Sequence, residues 1–365
     1  LFIIFRYLTR QILVSMLAVT GVLLMVFMSG RFIKYLAQAA EGSISPDVLF
    51  AIMGYRLPDF LELILPLGLF IGILLAYGRM YLESEMVVLY ACGVSERQII
   101  MQTMGASLLV TLIVGACTIY LSPWGLQQVD NILKEQSQTT EFAMLVPGRF
   151  QKLKEGNRVA YSESLSGDKR EMHNVFIAQH DKANQPLILI SAETGNQYVD
   201  PKTGSRYLVL HNGARFEGNP GKLDYKVTTF DSYGMRLAKP TNSSFSGYAD
   251  AVSTEKLWGS SDPKMQAMLQ WRLALPFIVP VVTLLAIRLS RVNPRQGRFF
   301  HLLPAMLIYI TYLGSMIAGQ SALAKGRLPL WAGLWWIHIL FLLLIAGLYW
   351  LPAWRRKRGA RHAAA

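Results

Sequence analysis

Six stretches of this chain are too long and too apolar to be left in water. Residues 12–30 run for 19 positions without a charge, and a helix of that length spans most of the ~30 Å hydrocarbon core of a bilayer. Comparable runs follow at 48–78, 99–129, 265–287, 299–323 and 328–354. The second is interrupted by Pro58, Asp59, Glu62 and Pro66, and the fourth is crossed near its start by Arg272. An AQA triplet at 37–39 resembles a signal-peptidase site, but the apolar run before it is longer than a usual h-region and Arg31 and Lys34 intervene. A retained first span is therefore expected. With 365 residues, the chain has room for six spans and one soluble domain besides.

Charge decides how those spans face. The chain carries 36 Lys/Arg against 23 Asp/Glu. Residues 126–265 hold 17 basic and 16 acidic side chains, so nearly all of the net charge of +13 flanks the spans. Basic residues beside apolar helices set topology and meet anionic lipid, which argues against a nucleic-acid partner. One side of the membrane receives Arg6, Arg10, Arg79, Arg97, Arg288, Arg291, Arg295, Arg298 and the Arg/Lys cluster at 355–361. The other receives Arg31, Lys34, Arg56, Arg272, Lys325 and Arg327. The positive-inside rule then places both termini in the cytoplasm and residues 126–265 across the membrane.

Within that insert the period changes from helical to alternating. Segments at 149–153, 158–164, 174–180, 186–192, 206–212 and 222–230 alternate apolar and polar residues between Gly, Asp, Asn or Pro turn signals. Short strands so spaced predict an antiparallel sandwich or open barrel. The only cysteines, Cys92 and Cys117, lie outside the insert, and neither placement suits a disulfide.

Between the second and third spans lies a short amphipathic segment with written ends. Gly93 sits where a left-handed C′ residue would stop a helix running from about Glu83 to Cys92. Ser95 with Gln98 forms a capping-box pattern that starts the next helix. Such a rod would be about 15 Å long, with Glu83 and Glu85 in its first turn, where the macrodipole favours carboxylates. On the residues alone it could fill a groove on a partner or lie under the headgroups.

Several chemistries are missing from the sequence. The single Gly-Lys pair, at 221–222, lacks the upstream glycine of a P-loop, and there is no H-E-x-x-H or G-x-S-x-G. Apart from Asp59 and Glu62, the spans hold almost no acidic groups for proton or sodium coupling. Energy for any transport would have to come from another subunit, and no enzymatic activity is expected.

ESEMVVLYACGVS at 83–95, VNPRQGR at 292–298 and ELILPLGLF at 62–70, with three spans on either side of a β-insert, resemble the lipopolysaccharide-export permease family, most closely its F-subunit branch. The resemblance implies a membrane α-helical fold of six transmembrane helices plus an inserted all-β periplasmic jellyroll-like domain. Residues 1–125 would carry spans one to three and a coupling helix near 83–92; 126–264 would form the β-domain; 265–365 would hold spans four to six and a basic cytoplasmic tail. Expected partners are a paralogous G permease subunit, a cytoplasmic ATPase homodimer, a single-span C subunit and lipopolysaccharide. ATP and Mg would belong to the ATPase, with no cofactor on this chain. The activity implied is ATP-driven extraction of lipopolysaccharide from a Gram-negative inner membrane to a periplasmic bridge; the alternatives are an ion-coupled lipid flippase and a membrane-anchored docking scaffold.

The same resemblance assigns site residues. Glu83, Glu85, Val88, Ala91 and Gly93 would couple to the ATPase, with Glu85 at the acidic coupling position. Arg31 and Lys34, and by location Lys325 and Arg327, would meet lipid phosphates; the alternative for all four, and most of all for Lys325 and Arg327, is anchoring to ordinary headgroups. Leu17, Leu24, Phe27, Leu307, Ile310 and Leu313 could line a cavity for acyl chains. Asp59 and Glu62 are expected to pair with Arg56 or to cap the second span. Arg288, Arg291, Arg295 and Arg298 are expected to fix topology and touch inner-leaflet phosphates.

Overall fold

The structure is a computed structural model that describes residues 2–40, 44–138, 147–152, 158–166, 171–179, 186–199, 206–219, 221, 224–237, 249–291 and 302–363. The first helix, α1 (Phe2–Ala40), runs unbroken through the charge-free stretch and past Arg31 and Lys34. Next, α2 (Leu49–Leu82) passes through Pro58 and Pro66 without ending. Proline is tolerated in a membrane helix because neighbouring groups take up the freed carbonyls and lipid offers the backbone no competing partner. After α2 come α3 (Glu85–Ala91) and α4 (Glu96–Ala116); a π-helical turn at Cys117–Leu121 then joins α4 to α5 (Ser122–Gln138). Beyond the sheet lie α6 (Thr254–Trp258), α7 (Pro263–Leu289), α8 (Leu302–Ala324) and α9 (Trp335–Ala363).

Among the described residues, five helices are long and apolar enough to cross a membrane, and α9 adds a shorter apolar helix at Trp335–Trp350. The sixth apolar run begins its helix at Trp335 instead of residue 328. Pro329 and a left-handed Gly333 (φ +55°) hold the intervening residues in turns, and the Gln270 amide donates to the Leu330 carbonyl at 2.8 Å.

The chain divides into two compact units: residues 1–30, 53–129 and 246–365, and residues 31–52 and 130–245. At the centre of the first is α7, whose Ala274, Val279, Val282, Leu285 and Ala286 are fully buried and which packs against α4, α8 and α9. Close packing, not exclusion from water, holds such helices together, so small residues sit at the crossings. On α2, a Cβ on Gly72 would stand 2.8 Å from the Met16 backbone nitrogen of α1, and one on Gly68 would collide with the Thr20 hydroxyl. Arg272, expected at a membrane flank, is instead 2% exposed. It donates to the carbonyls of Val252 (2.8 Å) and Asp250 (2.7 Å) and to the Thr254 hydroxyl (2.9 Å). Thr254 in turn donates to the carbonyl of Ile119 in the π-helical turn at 2.7 Å.

In the second unit six strands form one antiparallel sheet in sequential order: β1 (Gln151–Lys152), β2 (Arg158–Leu165), β3 (Glu171–Gln179), β4 (Leu187–Val199), β5 (Arg206–Gly218) and β6 (Lys226–Leu237). The expected antiparallel all-β insert is present, and its described strands meander within one sheet. One face buries Ala160, Ile177 and Ile190 in a single cross-strand row, with Met172, Val175, Ala192, Leu208, Leu210 and Met235 around it. Pairing lapses at one position per strand, and those positions, Glu163, Asn174, Glu193, Asn212 and Asp231, line up across β2 to β6. Asn174 and Asn212 have φ of 50° and 51° there, a left-handed conformation that asparagine tolerates better than most residues. The row is a line of interrupted pairing across the sheet, laced by Asn212 donating to Glu193 at 3.2 Å.

Candidate functional site

The segment between α2 and α4 is built as a capped turn of helix. Glu83 and Ser84 form a turn, and Ser84 is left-handed (φ 62°), so α3 starts at Glu85 and has seven residues. The expected ten-residue rod is thus about 10 Å long, and Glu83 lies outside its first turn; Glu85 is the one acidic residue there. The C-terminal end follows the sequence closely. Gly93 has φ +85°, the Gly93 N–H donates to Tyr90 O (3.0 Å) and the Val94 N–H to Leu89 O (3.0 Å). Those two bonds are a Schellman motif. Ser95 and Gln98 then bond reciprocally as a capping box.

Burial divides α3 into two faces. Met86 is completely buried, and Leu89 and Tyr90 pack half-buried against the helical core. Val87 and Val88 are 60% and 59% exposed, and Glu83, Ala91, Cys92 and Gly93 are exposed with them. Four of the five expected coupling residues therefore stand on one open, mostly apolar surface. Glu85 is half-buried because the Tyr7 hydroxyl of α1 donates to its Oε2 at 2.7 Å.

Further contacts bind this turn to its neighbours. Arg79 near the end of α2 donates to Gln11 of α1, and the Tyr81 and Tyr90 hydroxyls meet at 3.2 Å. Arg291, just past α7, forms an ion pair with Glu96 at the start of α4. Partial burial works against the Arg291 cation, but the Glu96 hydrogen bond and the neighbouring Tyr81 outweigh it and raise its pKa. Arg288 donates to the Leu348 carbonyl at 3.0 Å and lies over the Tyr349 ring at 5.3 Å. Two of the four arginines expected at inner-leaflet phosphates are thus engaged inside the protein; Arg295, Arg298 and the VNPRQGR motif lie outside the described residues.

Each pair of basic candidates is exposed within its own unit. Arg31 and Lys34 lie three apart on the last third of α1, in the second unit. Lys325 and Arg327 flank a left-handed Gly326 (φ +68°) at the end of α8, in the first. There the Gly326 N–H bonds to Leu323 O and the Arg327 N–H to Ala322 O, a second Schellman motif. Of the apolar candidates, Leu17, Phe27, Leu307 and Ile310 are exposed, Leu24 is intermediate, and Leu313 packs against the core. Asp59 pairs with Arg56 at 4.0 Å; Glu62 is buried, with Arg272, Ser122 and Trp271 near it.

Residues 6–351 match the family described as lipopolysaccharide export system permease LptF/LptG. The chain is 31% identical to the lipopolysaccharide export system permease protein LptF of Escherichia coli K12 over 343 residues, covering 94% of this chain and 93% of the relative. It is 24% identical to LptG of the same organism, over 77% of this chain and 79% of the relative. LptG of Haemophilus influenzae is 20% identical over 97% of this chain and 98% of the relative.

Proposed function

This chain belongs to the LptF/LptG family of lipopolysaccharide export permeases, with greater likeness to LptF than to LptG, and we propose that it works as the F-type half of an ATP-driven permease pair. It is a multi-pass inner-membrane transport component that exports lipopolysaccharide, and family membership favours this reading over an ion-coupled flippase or a docking scaffold. Its partner in the membrane is a G-type paralogue. The finer assignments rest on the charge distribution along the chain and on the family resemblance. Both termini and α3 face the cytoplasm, where an ATPase homodimer supplies the energy and binds the ATP and Mg; this chain itself carries no cofactor. A single-span C subunit joins the complex, and the β-domain, within residues 126–264, receives lipid on the periplasmic side. Residues 1–125 and 265–365 form the membrane parts.

The observation that carries the coupling assignment is the open face of α3. Val88, Ala91 and Gly93 project with a carboxylate at one end, from a turn anchored by a single buried side chain, Met86. An apolar knob with one acidic rim residue suits a groove edged by a basic side chain. Arg31 and Lys34, exposed one helical turn apart, suit the phosphates of an anionic glycolipid, as do Lys325 and Arg327. The apolar faces that α1 and α8 leave exposed among the described residues, including Leu17, Phe27, Leu307 and Ile310, are suited to acyl chains and the paralogue.

Glu85→Arg tests the proposal in the co-expressed complex. It should abolish recovery of the ATPase and stop ATP-dependent release of lipopolysaccharide from proteoliposomes, while membrane insertion and pairing with the G-type subunit persist. Unchanged ATPase recovery and release would refute the coupling role.

A further inference from the structure

A push received by α3 must reach α1, whose outer part carries Arg31 and Lys34, yet α3 is joined in sequence only to α2 and α4. The first half of α1 lies along α2 and α3 through four successive contacts. Tyr7 donates to Glu85, Gln11 accepts from Arg79, and the Met16 backbone and Thr20 side chain lie against Gly72 and Gly68. Spaced 4, 5 and 4 residues apart, they follow one face of the helix. The contact nearest the N-terminus is the only one of the four that touches α3 itself, and it occupies one oxygen of the carboxylate assigned to the partner. The other oxygen accepts nothing from the described residues.

We infer that Tyr7 is a positioning residue, which ties the Glu85 carboxylate to α1 and so passes the displacement of α3 directly to α1. The inference rests on the coupling role proposed for α3. One charge-assisted hydrogen bond fixes the rotamer of Glu85 and ties two helices whose residues are 78 positions apart. The two glycine approaches below it leave no gap in which α1 could stay behind when α2 and α3 move.

The test uses the complete complex carrying Tyr7→Phe, which keeps the ring and removes the donor. ATPase recovery and ATP hydrolysis should stay within about twofold of the parent, while lipopolysaccharide released per ATP falls about tenfold, the effect of losing one such bond where it matters. Tyr7→Phe combined with Glu85→Gln should release no less than Glu85→Gln alone, because Tyr7 acts through that carboxylate. Unchanged release per ATP in Tyr7→Phe, or loss of ATPase recovery equal to that of Glu85→Arg, would overturn the inference; the first result would leave the coupling role of α3 intact. If Tyr7→Phe fails to assemble, Gly72→Ala takes its place. Its Cβ would stand 2.8 Å from the Met16 nitrogen and must part α1 from α2, so release per ATP should fall with the ATPase still bound, and unimpaired release would overturn the inference.

Discussion

Arg272 shows at the scale of one residue why a charge in an apolar run does not by itself mark a membrane surface. Read from the sequence it weakens the fourth span; in the structure its guanidinium is buried and hydrogen-bonded to carbonyls and a hydroxyl of residues 250–254, with Glu62 nearby. Removing one partner of a buried charged network leaves the rest unsatisfied, which costs about 3–5 kcal/mol. Arg272→Met should therefore lower the thermal midpoint of the purified protein in detergent by several degrees or block its accumulation, and an unchanged midpoint would contradict this. Such a role was hidden because its acceptors are backbone atoms some 20 positions away, and backbone carbonyls leave no mark in residue type. Tyr7 with Glu85 and Arg291 with Glu96 were hidden likewise, joining elements far apart in sequence. The Arg56–Asp59 pair, three positions apart, was expected.

At the scale of the element, α3 was legible at its C-terminal end and misread at its start. A glycine at C′ and a Ser-x-x-Gln box are local signals, and both formed as expected. The start moved from Glu83 to Glu85 because Ser84 adopts a left-handed conformation that serine does not advertise. The π-helical turn at Cys117–Leu121 had no signal either; the Ile119 carbonyl within it accepts from the distant Thr254 hydroxyl. At Gly93 an added Cβ would meet nothing within 4 Å, so Gly93→Ala should act through the backbone alone. Left-handed alanine costs about 1 kcal/mol, and hydrogen exchange at the Val94 amide should quicken roughly fivefold. Exchange at the parent rate would show that the Schellman turn does not depend on glycine.

For the whole molecule, the two compact units have separate cores, one among the helices and one on the sheet. All eight tryptophans lie in the helical unit, at positions such as 124, 271 and 335. In detergent, urea should remove amide protection from β2 to β6 before tryptophan fluorescence changes, because the micelle shields the apolar helices while the described sheet rests on a small core of its own. Coincident transitions by the two probes would mean a single cooperative unit. The sequence by itself determined the number of apolar runs, the antiparallel β-insert between the third and fourth of them, the caps around α3 and the resemblance that named the family. These follow from apolar length, alternation and local turn chemistry, which act between neighbours in the chain. Tertiary structure alone decided that Arg272 is a buried clasp, that strand pairing lapses along the row from Glu163 to Asp231, and that Glu85 is held by Tyr7. Each depends on groups brought together from distant parts of the chain, and residue pattern carries no record of which distant groups will meet.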